Sequence, residues 1–247
     1  MNSATVNTDL LVCIGDYELN VYSIRLNGNR ENNPTKASGN YQGLLVNAGG
    51  SGTIAGCYFE NGSHHALQTG GEDRYYTSPT AEAHDITIDN NIINWPTTGE
   101  FGDCMRPTRT RNLVITNNRT YGGESSIRTN YYNHDVLISN NYCEGAVTDV
   151  GITTGLGSDF TITNNICKNA LGQHGFEIAG TKRVTLSNNI STGNAKDGVR
   201  INLYGPPVAA STFDGYIDGT LIQYPTTVSP EGCIVTGNIV KLSLIHI

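Results

Sequence analysis

One short unit recurs along this chain and leaves few architectures open. It reads ITIDNN at 86–91, VITNN at 114–118, LISNN at 137–141, TITNN at 161–165 and TLSNN at 185–189. A looser copy, VTGN, follows at 235–238. The leading Asn of each full copy falls at Asn90, Asn117, Asn140, Asn164 and Asn188, with Gly237 in that place in the last. The steps are 27, 23, 24 and 24 residues, then 49, which is two periods. A fixed period of this size means stacked copies of one supersecondary unit.

Between these copies runs a second row: Gly43-Leu44-Leu45-Val46, Ala66-Leu67-Gln68-Thr69, Cys104-Met105-Arg106-Pro107, Ser126-Ile127-Arg128-Thr129, Gly151-Ile152-Thr153-Thr154, Gly175-Phe176-Glu177-Ile178 and Gly198-Val199-Arg200-Ile201. Each starts on a small residue and then alternates apolar with mostly polar. A third, shorter segment carries Ile92, Tyr142, Ile166, Ile190 and Ile239, two residues after each leading position. Period-2 alternation over so few residues predicts strands with one buried side. The Leu-x-x-Leu-x-Leu frame of leucine-rich repeats is missing. We therefore expect an all-β solenoid of about eight coils, three short strands to a coil. Asn tolerates the sharp turns between strands, and its amides, stacked about 4.8 Å apart, can hydrogen-bond along the row. We expect that amide row to consist of the leading asparagines, to begin at Asn27 and to lose its last step at Gly237.

Composition narrows the function classes. The chain has 247 residues, 29 Gly and 28 Asn, only 15% charged residues and a formal net charge of −7. There is no Lys/Arg run of the kind that binds nucleic acid. No apolar run approaches the length of about 18 residues that crosses a membrane as a helix. No signal peptide is visible at Met1. The six cysteines show no metal-ligand spacing. Cys143 and Cys167 hold equivalent places in adjacent coils, so they are either a disulfide of a secreted protein or two stacked thiols. The last six residues, 242–247, are what a transposon end used in sequencing-library preparation encodes. They are read as an adapter artefact, and the β-helix domain as residues 1–241.

The Asn-punctuated pattern resembles the right-handed parallel β-helix proteins: pectate lyases, polygalacturonases and phage tailspikes. It covers about Tyr17 to Lys241. The resemblance implies that the asparagines sit between the second and third strands of each coil. It also implies that the Gly/Ser-led row is the first strand, where such enzymes place their cleft.

If Ile127, Phe176 and Val199 point inward, the outward row is Leu45, Gln68, Arg106, Arg128, Thr153, Glu177 and Arg200. With the residues that enter those strands, one flank carries Asp103, Arg106, Arg128, Asp149, His174, Glu177, Asp197 and Arg200. Glycoside hydrolysis needs two carboxylates. Elimination from a uronate needs a base and positive charge, from Arg or from a cation such as Ca²⁺. Candidate catalytic residues are Asp103, Asp149, His174, Glu177 and Asp197. Candidate substrate-binding residues are Arg106, Arg128 and Arg200, whose forks grip carboxylates. Any outward row must also be polar, so a solvated or purely binding face stays open. Gly172-Gln173-His174-Gly175 and Asp197-Gly198-Val199-Arg200-Ile201 resemble elements of polygalacturonases. That resemblance implies His174 as a helper, Arg200 as a substrate binder and Asp149 as an acid. The local pair is Thr148-Asp149, and Asn202 stands at the family's lysine.

Insertions interrupt the coils at 30–40, 70–84, 95–102 and 203–231, and the second and fourth, which follow the same strand of their coils, are expected to rim the two ends of the charged row. Their tyrosines Tyr75, Tyr76 and Tyr216 would either stack on sugars or anchor the loops. The expected partner is an extracellular polysaccharide, met outside the cell, at its surface or on a virion. An enzyme would be a monomer and a tailspike a homotrimer. A structural fragment with open ends is the third possibility.

Overall fold

The computed structural model describes residues 11–29, 43–62, 64–70, 82–96, 102–202, 213–217, 220–224 and 230–241. These form a parallel β-solenoid. First-row strands are Leu11–Ile14, Gly43–Ala48, His65–Thr69, Met105–Pro107 and Val199–Asn202, together with the leading parts of Ile127–Ser139, Ile152–Thr163 and Phe176–Ser187. The trailing parts of those three long strands continue round the corner into the second row. They join Val21–Tyr22, Gly52–Ala55, Ala83–Asp89, Thr110–Thr116 and Ile234–Thr236 there, making one 13-stranded sheet. The third row is an eight-stranded sheet from Arg25–Asn27 to Ile239–Lys241. Six coils run without interruption in the described residues; the third and the last contain segments outside them. Phe213–Ile217 and Thr220–Tyr224 pair as an antiparallel hairpin.

The corner between second and third rows explains the repeat and corrects its reading. The leading residue is the turn itself. Asn90, Asn117, Asn140, Asn164 and Asn188 have φ between 52° and 58°, and Gly56 and Gly237 share the place at 64° and 63°. Asn and Gly are the residues that accept this left-handed backbone. The amide ladder is built by the trailing Asn instead. Asn165 is typical: its Oδ1 accepts from Asn141 N and Nδ2 at 2.9 and 3.0 Å. Its own Nδ2 donates to Ile138 O one coil below and to Asn189 Oδ1 one coil above. The same bonds link Asn91, Asn118, Asn141, Asn165, Asn189 and Asn238. Cys57 N donates to Asn91 Oδ1 and opens the series. Two expectations fall with this. The VTGN copy does join the ladder, through Asn238. Asn27 does not begin it: Asn27 stands in register with Glu60, past the corner, and its Oδ1 accepts from Asn29 N.

Inside, identical positions stack coil on coil. Ile54, Ile88, Ile115, Ile138, Ile162 and Leu186 form one column and Ile86, Leu113, Val136, Phe160 and Val184 another, nearly all fully buried. Such stacking couples each coil to its neighbours, and truncating one member to Ala costs about 2–5 kcal/mol. Cys143 and Cys167 are register partners, both buried and both free thiols.

The ladder yields the first prediction. Asn165→Ala strands buried donors and acceptors on two coils and should cost about 3–5 kcal/mol, at about 1–3 per orphaned group. Asn164→Gly should change stability by less than about 1 kcal/mol, because the turn backbone suits both residues. Denaturant titration of the two variants checks the assignment. Equal losses would contradict it.

Candidate functional site

The first row positions the charged flank. Leu45, Leu67, Met105, Ile127, Ile152, Phe176 and Val199 are in register and point inward. Leu45 was expected outside; it belongs to the core, and Val46 takes the outward place beside Gln68. A shift of one residue reverses a strand's faces, and the doubled leucine hid which of the two was inward. The outward row is then Val46, Gln68, Arg106, Arg128, Thr153, Glu177 and Arg200.

This row is graded in exposure, not uniformly wet. Val46, Gln68 and Thr153 are buried. The Arg106, Arg128 and Glu177 side chains are 15–18% exposed, and Arg200 is 39% exposed. Asp103 is fully buried and Asp197 is 66% exposed. The flank closes toward the early coils and opens toward the late ones.

Its charges follow one line down the flank in two connected groups. Asp103 lies 3.2 Å from Arg106 Nη1 and 3.4 Å from Arg128 Nε, and accepts from Ser125 N at 3.1 Å. Arg128 also pairs with Asp149 and donates to Ser125 Oγ. Asp149 accepts from Ser125 Oγ and Gln173 Nε2, at 3.3 and 3.0 Å. Beyond it, His174 stands between Asp197, 3.2 Å from its Nδ1, and Arg200, 2.9 Å from its Nε2. Arg200 reaches Glu177 at 3.8 Å. The eight flank candidates thus fall into two groups of side-chain contacts, one from Asp103 to Asp149 and one from His174 to Arg200, and each carboxylate has a cation or an imidazole beside it.

The line contains the same unit twice. Asp103 N donates to His65 Nδ1 and Asp197 N to His174 Nδ1, and each Asp is followed three residues on by its Arg, Arg106 or Arg200. One copy is sealed and the other is open. Burial pushes the His65 imidazole well below its ordinary value, with His64, Arg106 and Arg128 adding to the shift against Asp103. Burial also lowers His174, against the pull of Asp197 and Glu177. Both rings are therefore neutral at neutral pH. For Asp103, burial opposes the charge, but Arg128, His65, Arg106 and the Ser125 N–H together outweigh it, and its carboxyl lies below the usual range. An ionised, enclosed Asp103 holds two guanidiniums in place; it is not arranged to donate a proton.

Two features gave no sequence signal. Tyr132 adopts φ 63°, and the register slips between Asn130 and Asn133, where the first row bends into the second. A bulky residue in that region is strained, and such bulges concentrate near functional sites. Ser125 and Gln173 are polar bridges that only the coil stacking identifies. Tyr75 and Tyr76 lie outside the described residues. Tyr216 lies in the hairpin, and its side chain is outside them. Among the described residues no three of His, Cys, Asp and Glu gather as a metal seat.

Comparisons with known proteins agree with this geometry. A family described as "Right handed beta helix region" matches residues 42–213. No curated protein matches the chain. Among solved structures, the Azotobacter vinelandii mannuronan C-5 epimerase AlgE6 A-module is similar over 94% of this chain and 73% of its own, at 13% identity and a TM-score of 0.52. The periplasmic alginate epimerase AlgG is similar over 91% and 68%, at 13% identity and 0.41. PfbA, a surface adhesin of Streptococcus pneumoniae, is similar over 84% and 58%, at 13% identity and 0.35.

The lowered imidazoles set a pH response. A folded-state value below the ordinary one of about 6.5 means the unfolded chain takes up protons that the folded chain refuses. That stability is present above about pH 6.5 and is lost as pH falls through the window below it. The denaturation midpoint should therefore drop between neutral and mildly acidic pH, and His65→Gln should shrink the drop. A midpoint that rises on acidification would contradict this. Asp103→Ala should cost about 3–5 kcal/mol, because it removes the fully buried carboxylate that faces both Arg106 and Arg128.

Proposed function

The chain belongs to the right-handed β-helix family, and from that premise we propose that it binds a polysaccharide along its first-row flank. The observation that carries this reading is the opening of the line at Glu177, Asp197 and Arg200. There, fixed acceptors and donors alternate at one-coil spacing and are partly open to water. A sugar's hydroxyls present donors and acceptors in the same alternation, and side chains already held by neighbours give up little freedom on binding. The sealed half, from His65 to Arg128, stiffens the wall behind this open half. The mannuronan epimerase that shares the fold supplies an analogy for a polysaccharide ligand, not a proof of one. An extracellular, cell-surface or virion location goes with this reading.

A catalytic reading, lyase or glycoside hydrolase, has one observation of its own. His174 is neutral, with Asp197 at one ring nitrogen and a guanidinium at the other. A neutral imidazole beside a carboxylate suits a general base once a lone pair is free, and Arg200 would leave His174 Nε2 to meet a substrate carboxylate. Asp149 and Glu177 are the carboxylates placed to assist. Their pairing with Arg128 and Arg200 favours binding over proton transfer.

The test uses the whole chain and a panel of uronate and neutral polysaccharides. Affinity electrophoresis and calorimetry should find at least one ligand. Arg200→Ala and Glu177→Gln should weaken it by about tenfold each, about 1.4 kcal/mol, with circular dichroism confirming the fold. In parallel, unsaturated ends and reducing sugars are followed with and without Ca²⁺. Product that disappears in His174→Ala supports the catalytic reading. Neither binding nor product from a folded chain defeats both.

A further inference from the structure

Four buried thiols take no part in the flank: Cys57, Cys104, Cys143 and Cys167. Cys57 and Cys104 each face a backbone carbonyl, Ala55 O at 3.4 Å and Gly122 O at 3.5 Å. Cys143 and Cys167 face each other. They are successive members of the inward column of the third row, which runs Ile93, Thr120, Cys143, Cys167 and Ser191. Register partners on parallel strands stand about 4.8 Å apart, inside the window of about 4.4–6.8 Å between the Cα atoms of a disulfide. The packing keeps them there. Gly151 lies against Cys167, and a Cβ on that glycine would come 2.9 Å from the Cys167 sulfur. The Cys167 thiol donates to the Cys143 sulfur. That donation, helped by the nearby Thr120 hydroxyl, holds Cys143 below the usual thiol range against burial, while burial pushes Cys167 well above it. One sulfur is thus suited to act first as a nucleophile and the other to follow it.

We propose that Cys143 and Cys167 are an oxidation site, at which a low-molecular-weight disulfide closes a covalent bond between adjacent coils. The Cys143 thiolate attacks one sulfur of the small disulfide. A mixed disulfide forms, the small S–S bond breaks, and its other half leaves as a thiol with the proton that Cys143 lost. Cys167 then gives up its proton and attacks the Cys143 sulfur, and the second small thiol leaves. Two protein thiols are oxidised and one small disulfide is reduced to two thiols. Both sulfurs are covered in the folded chain, so the exchange takes place as the coils close or open. The bond closes a loop over residues 143–167 and restrains the unfolded chain. It ties the coils at the division of the flank, since Cys143 leads into Asp149 and Cys167 into His174. The site rests on the stacking of the coils and stands whether or not the flank binds a glycan.

The test refolds the whole chain from denaturant in two buffers, one holding oxidised and reduced glutathione and the other excess reductant. Intact mass should show the loss of two hydrogens in the first buffer only. Cleavage at glutamate separates Cys143 from Cys167, because Glu144 lies between them. After thiol blocking, the two peptides from the oxidised chain should travel linked until they are reduced. The oxidised chain should melt at least about 5 °C above the reduced one. In Cys167→Ser that difference between buffers should vanish. If the variant does not fold, the oxidised and reduced forms of the unaltered chain still decide. A chain that refolds with glutathione and yet has both Cys143 and Cys167 blocked once denaturant exposes them would overturn the proposal. So would a bond from either to a different cysteine, or a linked pair that lowers the midpoint.

Discussion

A buried asparagine side chain has two N–H donors and an oxygen to satisfy, and leaving them unmet in an apolar interior costs several kcal/mol. Here the need is met by the asparagines of the adjacent coils together with backbone carbonyls, one of them a coil below. The backbone N–H and one amide hydrogen of Asn141 go to Asn165 Oδ1 directly above it, and those of Asn165 go to Asn189 Oδ1. That mutual requirement fixes the spacing of the coils, the register of the strands after each corner, and the corner itself, where the preceding residue takes the left-handed turn. The aliphatic columns supply most of the apolar burial. The ladder makes one register far better than its neighbours, since a slip by one residue orphans a row of amides and turns the columns outward.

Register fixed in this way aligns the flank. Arg106, Arg128, Glu177 and Arg200 stand one above another only because the strands that bear them are locked at one spacing. The contacts then divide the flank in two. At the early coils Asp103 is enclosed by His65, Arg106 and Arg128 and its charge is spent inside the protein. At the late coils the same His-Asp-Arg arrangement recurs with Asp197 and Arg200 turned toward water. One local motif is thus covered at one end of the flank and open to water at the other. Burial, not residue type, sets the difference.

The sequence carried the architecture plainly, since five Asn pairs at near-constant spacing fit little except a stack of like coils. It also held the means to tell the two asparagines of each pair apart. Gly replaces the leading one at Gly237 and at Gly56, as a turn residue can be replaced, while Asn238 keeps the trailing one, as a hydrogen-bonding residue must. The Leu44-Leu45 pair offered two inward choices, and pairing with His65–Thr69 decides between them. Burial of Asp103 could not be read from alternation, which says which way a side chain points but not what lies over it. The left-handed Tyr132 and its bulge had no signal, because nothing in Asn130-Tyr131-Tyr132-Asn133 marks a turn the way Asn-Gly or Pro does. The eight flank residues were legible as a set; their division into sealed and open was not.

The central claim is that the trailing asparagines, not the leading ones, hold the coils together. Proton exchange of the side-chain amides, resolved by nuclear magnetic resonance on labelled protein, addresses it directly. The Nδ2 protons of Asn118, Asn141, Asn165 and Asn189 should exchange only with unfolding, while those of Asn117, Asn140, Asn164 and Asn188 exchange at rates near those of a free amide. Fast exchange in the first set, or equal protection in both, would contradict the account.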